Sequence, residues 1–279
     1  MNKIFIFTTK FGYYIANVLK CILLKLSIET YIVYDIDLSN EDLYIILFSQ
    51  KVKIFPKNYI IYQLEQKDIS KWINTKYELS IYHSIITFDY SQSNILKFNN
   101  IIKKKIVYFP IPLIPIYNLN NKFNINLNPT NNILFYGSMN NIRKKKLYIL
   151  QKKLYPKYNI KIVNNMYGEN LINEILNSKI ILNIHFYENA ILETCRLNEI
   201  LSCNRCVISE KPSNIDIINY DLYKNIVIFS ENINDMYNKI IYILNNNLYK
   251  INLNYDLINN TINCKNILDY LPTNFNNIN

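Results

Sequence analysis

Bulky apolar residues occur along this chain in short bursts, each followed by a polar stretch rich in Asn and Lys. The first burst, "KIFIF" (Lys3 to Phe7), predicts a strand. A loop through Gly12 and an apolar helix from about Tyr14 to Lys25 follow it. Strand-like runs recur at "TYIVYD", "LYIILF", "NYIIYQL", "SIITF" and "KIVYF". Helical stretches are expected between them near Ile69 to Trp72, Lys76 to His83 and Ser91 to Asn99. Continuous apolar strands alternating with helices are the pattern of a parallel sheet covered on both faces.

The alternation stops at "YFPIPLIPIYN", which holds Pro110, Pro112 and Pro115, and at the Asn-rich run after it. It restarts with strand "NILFYG", helix Ile142 to Lys153, strand "NIKIV" and helix Glu169 to Asn177. Strand "IILNI", helix Asn189 to Cys203, strands "RCVIS" and "NIVIF" and helix Ile233 to Asn245 complete the series. The tail carries a short amphipathic stretch, "CKNILDYLP". The expected organisation is an N-terminal domain over 1–118, a linker over 119–130, a C-terminal domain over 131–262 and a helix and tail over 263–279. The fold class is α/β, with two Rossmann-like, doubly wound parallel-sheet domains facing a cleft.

Composition adds little until the rare residues are considered. The 279 residues are half hydrophobic and include 25 Tyr but only 3 Gly and 2 His. Abundant Asn, Ile, Lys and Tyr fit an AT-rich coding sequence, so the scarce residue types are the informative ones. The net charge of +10 raises nucleic-acid binding. No Arg/Lys stripe with interleaved aromatics follows the sequence, so nucleic acid is not the expected partner and solvated lysines account for most of the charge. Cys21, Cys195, Cys203, Cys206 and Cys264 lack framework spacing. The Cys203–Cys206 CxxC has no second pair, so buried reduced thiols are expected, and no metal site. The start of the chain has no signal-peptide pattern, and "YYIANVLKCILLKL" is broken by Lys20. A cytoplasmic protein without a transmembrane segment is the expectation.

All three glycines, Gly12, Gly137 and Gly168, fall at predicted strand ends or helix starts, where a doubly wound sheet binds its ligands. Arg143, Lys144, Lys145 and Lys146 lie just beyond Gly137. Cations oppose the macrodipole at a helix N-terminus, and a bound diphosphate would reverse that cost. A solvated helix face accounts for some of the four. Neither GxxxxGK[ST] nor GxGxxG is present, so a P-loop or standard dinucleotide fold is not supported. In "LNIHFYENAILETCRLNEILSCNRCVISE", His185 lies just beyond a strand, and Arg196 precedes Glu199 by one helical turn. An intrahelical ion pair is the plain reading; the apolar residues around it suggest a cleft instead.

The run "RLNEILSCNRCVISE" resembles the R-x-x-E-A-x-A-x-G-x-x-V-(I/V)-(S/T)-(D/E) signature of GT-B glycosyltransferases of the group-1, family-4-like branch. With "LFYGS", "YGE", "LNIH", "YIIYQLEQ" and "ITFDYSQSN", it is similar to a diverged subgroup of that branch. The resemblance implies a sugar transferase that uses a nucleotide-sugar donor as co-substrate, with no other cofactor and no metal. It places the ribose hydroxyls on Glu199, the diphosphate on Gly137, Ser138, Arg143 and Lys145, Arg196 beside them, and His185 facing the donor. Glu65 becomes the candidate base, with Gly12 and Gln66 on the acceptor side; the acceptor is left open. The chain departs from the pattern at Ile191, where an acid is usual and for which Glu188 or Glu193 could substitute, and at Ser202 and Asn204. Asp35-Ile36-Asp37 has DxD form but falls in the acceptor-side domain. The alternatives are a basic nucleic-acid-binding protein, a catalytically inactive scaffold of the same fold, and a transferase that acts on nucleic-acid bases.

Overall fold

The computed structural model describes residues 3–126, 128–213, 216–262 and 266–272. The chain divides into two compact units, one through Pro112 joined by residues from Ile262 onward, the other Leu113–Thr261.

In the first unit β1 (Ile4–Phe7) leads into α1 (Tyr13–Lys25), β2 (Thr30–Val33), β3 (Leu43–Ile46) and β4 (Tyr59–Gln63). Then come α2 (Thr75–His83), β5 (Thr87–Asp89), α3 (Gln92–Ile95), α4 (Asn100–Lys103) and β6 (Ile106–Tyr108). The six strands are parallel in the order β2-β1-β3-β4-β5-β6. The order reverses between β1 and β3, which makes a switch point there. Strand residues alternate between the two faces. Tyr44, Ile46, Tyr59 and Ile61 pack with Tyr77, Ile81, Phe98 and Ile102, while α1 covers β1 and β2. Ile69–Trp72 forms turns, not the predicted helix, because the Trp72 amide donates to the Ser70 side chain instead of to a carbonyl one helical turn back.

In the second unit α5 (Ile116–Leu119) precedes β7 (Asn131–Tyr136), α6 (Asn141–Leu154), β8 (Ile160–Val163), α7 (Gly168–Leu176) and β9 (Ser178–Asn183). After these come α8 (Thr194–Ser202), β10 (Cys206–Glu210), α9 (Ile217–Tyr223), β11 (Ile228–Ser230), α10 (Ile233–Asn245) and α11 (Tyr255–Ile262). Its five parallel strands run β11-β10-β9-β7-β8, with the switch point between β7 and β9. One face, from Ile133, Phe135, Ile180, Leu182 and Ile208, packs under Leu147 and Leu150 of α6 and Met236 and Ile240 of α10. α7 and α8 lie against β9 and β10.

The division into units falls before the expected linker 119–130, which belongs to the second unit. Asn259 fastens the backbone there, donating to the Leu113 carbonyl at 3.0 Å and accepting from its amide at 2.7 Å. Arg205 adds bonds to the carbonyls of Asn126 and Leu176. From the tail, Ile267–Tyr270 is a 3₁₀ turn of the first unit, and the Tyr270 ring packs edge-on against Phe88 and Phe109. Cys203 and Cys206 are buried free thiols, both pushed up to about 12 by burial. Cys264 lies outside the described residues.

Candidate functional site

β7 delivers the chain to the switch point of the second sheet at Gly137, whose φ of +122° is closed to side-chain-bearing residues. A Cβ there would also stand 3.1 Å from Arg196 Nη1 and 3.4 Å from Arg143 Nη1. Glycine is thus required twice at this position, by the turn and by two guanidiniums that close on the backbone. The Ser138 side chain is exposed, and its carbonyl accepts from Arg143 Nη1 at 2.8 Å.

Asn140 caps α6, accepting from the Arg143 amide at 2.9 Å. The same side chain donates to the Phe186 carbonyl and so ties the loop after β7 to the loop after β9. Arg143, 3% exposed, donates through Nε to the Ile184 carbonyl at 2.8 Å and lies between the rings of Phe135 and Phe186. Its charge is therefore absorbed by carbonyls and ring faces, which answers the helix-dipole objection for this residue. Burial, and then the charge of Arg196, lower its pKa to about 10, so it stays a cation at neutral pH. Lys144 and Lys145 are exposed, and Lys146 pairs with Glu210. Lys145 lies roughly 200° around the helix from Arg143 and is not brought to the cluster.

The predicted helix from Asn189 starts late, at Thr194. Asn189 takes a left-handed conformation, and the Leu192 amide donates to the buried Asp216 carboxylate at 2.7 Å instead of to a helical carbonyl. Ile191, at the position where the resemblance expects an acid, is buried. The same loop sets Glu193 immediately before α8. Its Oε2 lies 3.9 Å from Arg143 Nη2 and 4.0 Å from Arg196 Nη1, without a hydrogen-bond partner. Arg196 stacks over the Tyr136 ring at 4.3 Å and donates to the Tyr136 carbonyl, while its buried Nε has no partner. The expected Arg196–Glu199 ion pair does not form, because Arg196 turns back onto β7. Glu199 instead accepts from the Tyr136 hydroxyl at 2.8 Å. Burial pushes Glu199 up, and the Tyr136 hydrogen bond and Arg196 charge pull it part of the way back.

His185, just past β9, is buried. Its amide donates to the Glu210 carboxylate at 2.9 Å, and Nε2 lies 3.1 Å from the Glu210 carbonyl. A carbonyl only accepts, so Nε2 carries the proton of that hydrogen bond, and Nδ1 is buried without a partner. At one switch point, then, two guanidiniums face one carboxylate, and three buried polar atoms (Glu193 Oε2, Arg196 Nε and His185 Nδ1) are unsatisfied. Buried polar atoms are normally partnered, and these three leave hydrogen-bonding capacity unused beside the two guanidiniums.

The first unit holds Glu65 in the loop after β4. Its carboxylate accepts from Gln50 Nε2 at 2.8 Å and from the Ser70 hydroxyl. Burial raises its pKa, while the Ser70 hydrogen bond and the Lys51 charge lower it in part. Gln66 is buried beneath the same turn. Gly12 has an ordinary φ and is needed for space, since a Cβ would stand 2.4 Å from Thr8 Oγ1 and 2.7 Å from Phe48 Cε2. The loop is fixed by a network that the pattern of the sequence did not reveal. Asp89 accepts from Gln63 at 3.0 Å, Asn94 at 2.7 Å and the Ser91 amide at 2.8 Å. Asn94 and Gln63 also donate to the Glu65 carbonyl. Asn140, Phe186, Asp216 and Asp89 are thus the positioning residues that sequence reasoning missed. Of these only Asn140, a cap three residues before Arg143, had a local signal. Among the described residues no group of His, Cys, Asp and Glu could hold a metal ion. Asp37 of the DxD-like segment accepts from the Ser39 amide and hydroxyl in its own loop.

No family model and no curated protein matches the chain. Among solved structures it is similar to an alpha-glucosyltransferase in complex with UDP and a 13-mer DNA containing a HMU base. The TM-score is 0.60 at 11% identity, covering 99% of both chains. It is also similar to Anabaena HepE in complex with UDP and glucose, with a TM-score of 0.54 at 8% identity, covering 97% of this chain and 94% of that one. A glycosyltransferase from Rickettsia africae gives 0.50 at 14%, covering 98% and 95%. The chain therefore has the fold of GT-B glycosyltransferases, α/β with two parallel sheets. Among the described residues no helix is long and apolar enough to cross a membrane.

Proposed function

We propose that the chain is a glycosyltransferase that takes its sugar from a nucleoside-diphosphate sugar, UDP-linked by preference. The observation that carries this reading is the pair of guanidiniums beside Gly137, one buried and one largely so, which share the carboxylate of Glu193. Two fixed positive charges in a poorly hydrated site stabilise a diphosphate leaving group without reorganisation. The UDP held by the alpha-glucosyltransferase and by HepE supports the choice of nucleotide.

In the reaction the bond from the sugar's anomeric carbon to the diphosphate oxygen breaks, and a bond to an acceptor hydroxyl oxygen forms. The hydroxyl proton leaves to a base, and the diphosphate departs with the electron pair. Arg143 and Arg196 neutralise the leaving group in place of a metal, the turn at Gly137 and Ser138 gives it room, and Glu199 holds the ribose hydroxyls. His185 Nδ1 accepts from a sugar hydroxyl. On the acceptor side Glu65, poised by burial, takes the proton, with Gln66 and Gly12 shaping the loops around it. Lys145, exposed on α6, adds only long-range charge.

Calorimetry with UDP and turnover of UDP-glucose test the assignment. Saturable UDP binding is expected, weakened at least tenfold or so by Arg196→Ala and by Glu199→Ala through loss of charge-assisted bonds. UDP affinity and UDP-glucose turnover unchanged in both variants would remove the site.

A further inference from the structure

The sequence contains no linear stripe of cations and aromatics, yet the fold assembles one at the switch point of the first sheet. Phe11 follows β1 and is 54% exposed, and Trp72, the only tryptophan, lies beyond β4 and is 41% exposed. Lys51 and Lys71 place Nζ 4.9 Å and 5.4 Å from the centroid of the Trp72 ring, and Lys10 lies 5.9 Å from that of Phe11. The two halves are connected. The Phe11 and Phe48 rings are 6.5 Å apart, Gln50 bonds Glu65, and Ser70 bonds both Glu65 and the Trp72 amide. Three lysines and two exposed rings are therefore carried on the loops after β1, β3 and β4, the last of which also holds Glu65. Among the described residues no carboxylate comes within 4.0 Å of Lys51 or Lys71, and both are exposed, although the Lys51 charge also acts on Glu65.

We propose that this surface binds a nucleic-acid strand with an unstacked base, its phosphates on Lys10, Lys51 and Lys71 and a base face on Trp72 or Phe11. The chemistry selects this partner over other anions. A flat ring flanked by ammonium groups matches a polymer that alternates phosphates with π-faces, and stacking on exposed aromatics requires bases that are not paired. A lipid surface would call for an apolar plane or an amphipathic helix, and the Trp72 segment is a turn whose exposed ring is flanked by two lysines. The overall charge of +10 adds long-range attraction. Calling this strand the acceptor-side partner rests on the transferase reading above; the binding itself does not.

The test is fluorescence anisotropy of the full chain with a labelled mixed-sequence single-stranded DNA oligonucleotide, its duplex, and phosphatidylserine vesicles as competitor. The single strand should bind more tightly than the duplex, with affinity falling steeply as salt rises. Trp72→Ala should weaken it about 5- to 100-fold. Lys51→Ala with Lys71→Ala should reduce the salt slope by about two. Oligonucleotide affinity unaltered in these variants, duplex binding that ignores Trp72, or displacement by vesicles would overturn the proposal. UDP binding by the same variants separates the two readings. Intact UDP binding without oligonucleotide binding removes the surface alone, and oligonucleotide binding without UDP binding removes the donor site alone.

Discussion

The two switch points of this molecule occupy the same place in two similar sheets and are built in opposite ways. That of the second unit keeps its cations inside: Arg143 is buried and held by the Ser138 and Ile184 carbonyls, and Arg196 lies flat on Tyr136. That of the first unit keeps its cations outside, as exposed lysines over Trp72 and Phe11, and holds the part-buried Glu65 carboxylate on one of the same loops. Buried guanidiniums with fixed hydrogen bonds suit a small anion of one geometry, because little ordering remains to be done on binding. Exposed ammonium groups on flexible stems suit a polymer whose charges arrive in many arrangements. The same topology thus supports two kinds of recognition, decided by which side chains the loops carry.

The contrast can be broken most severely at Arg143. Arg143→Ala removes the donor to two carbonyls and leaves Glu193 with less compensation, so a loss of roughly 3–5 kcal/mol in stability is expected. Arg143→Lys keeps the charge and loses the fork, and should retain folding while binding UDP more weakly. Chemical denaturation and UDP calorimetry read both, and equal UDP affinity in Arg143→Lys would show that charge alone suffices. In the first unit, Asp89→Ala strands the donors of Gln63, Asn94 and Ser91. A cost of about 2–4 kcal/mol follows, and denaturation should show it without any change in UDP affinity once the variant is folded.

Gly137→Ala is expected to cost about 1–3 kcal/mol, from its φ and its approach to the two guanidiniums. UDP affinity should fall as well, because the arginines must shift to make room. Glu193→Gln sharpens the comparison in the other direction. Removing a carboxylate that lies within 4.0 Å of both guanidiniums should tighten UDP binding about three- to tenfold, whereas weaker binding would mean that Glu193 holds the ligand directly.

The smallest effect is a dependence on pH. Glu199 has a folded pKa above its unfolded one, so its contribution favours the folded state below the unfolded carboxylate pKa and is lost as pH rises through the folded value. Glu199→Gln keeps an acceptor for the Tyr136 hydroxyl and removes the titration. The variant should therefore gain stability relative to the parent on going from about pH 4 to about pH 7. Parallel stability curves would contradict this sign.

Local pattern determined much of this protein. Apolar runs marked the strands, and apolar periodicity marked α6 and α10, because burial against a sheet is set by residues a few positions apart. The three glycines and three arginines stood out through scarcity, and Gly137, Arg143 and Arg196 do meet. Only the tertiary structure decided the partners. Asp216 takes the Leu192 amide from a position 24 residues away in sequence, which delays α8 and delivers Glu193 to the arginines. Asp89 sets the Glu65 loop from a neighbouring strand, and Trp72 meets Lys51 across two loops. Hydrophobic periodicity is a property of neighbours along the chain, and charge placement is a property of neighbours in space. The first could be read before folding, and the second exists only after the sheets have aligned their loops.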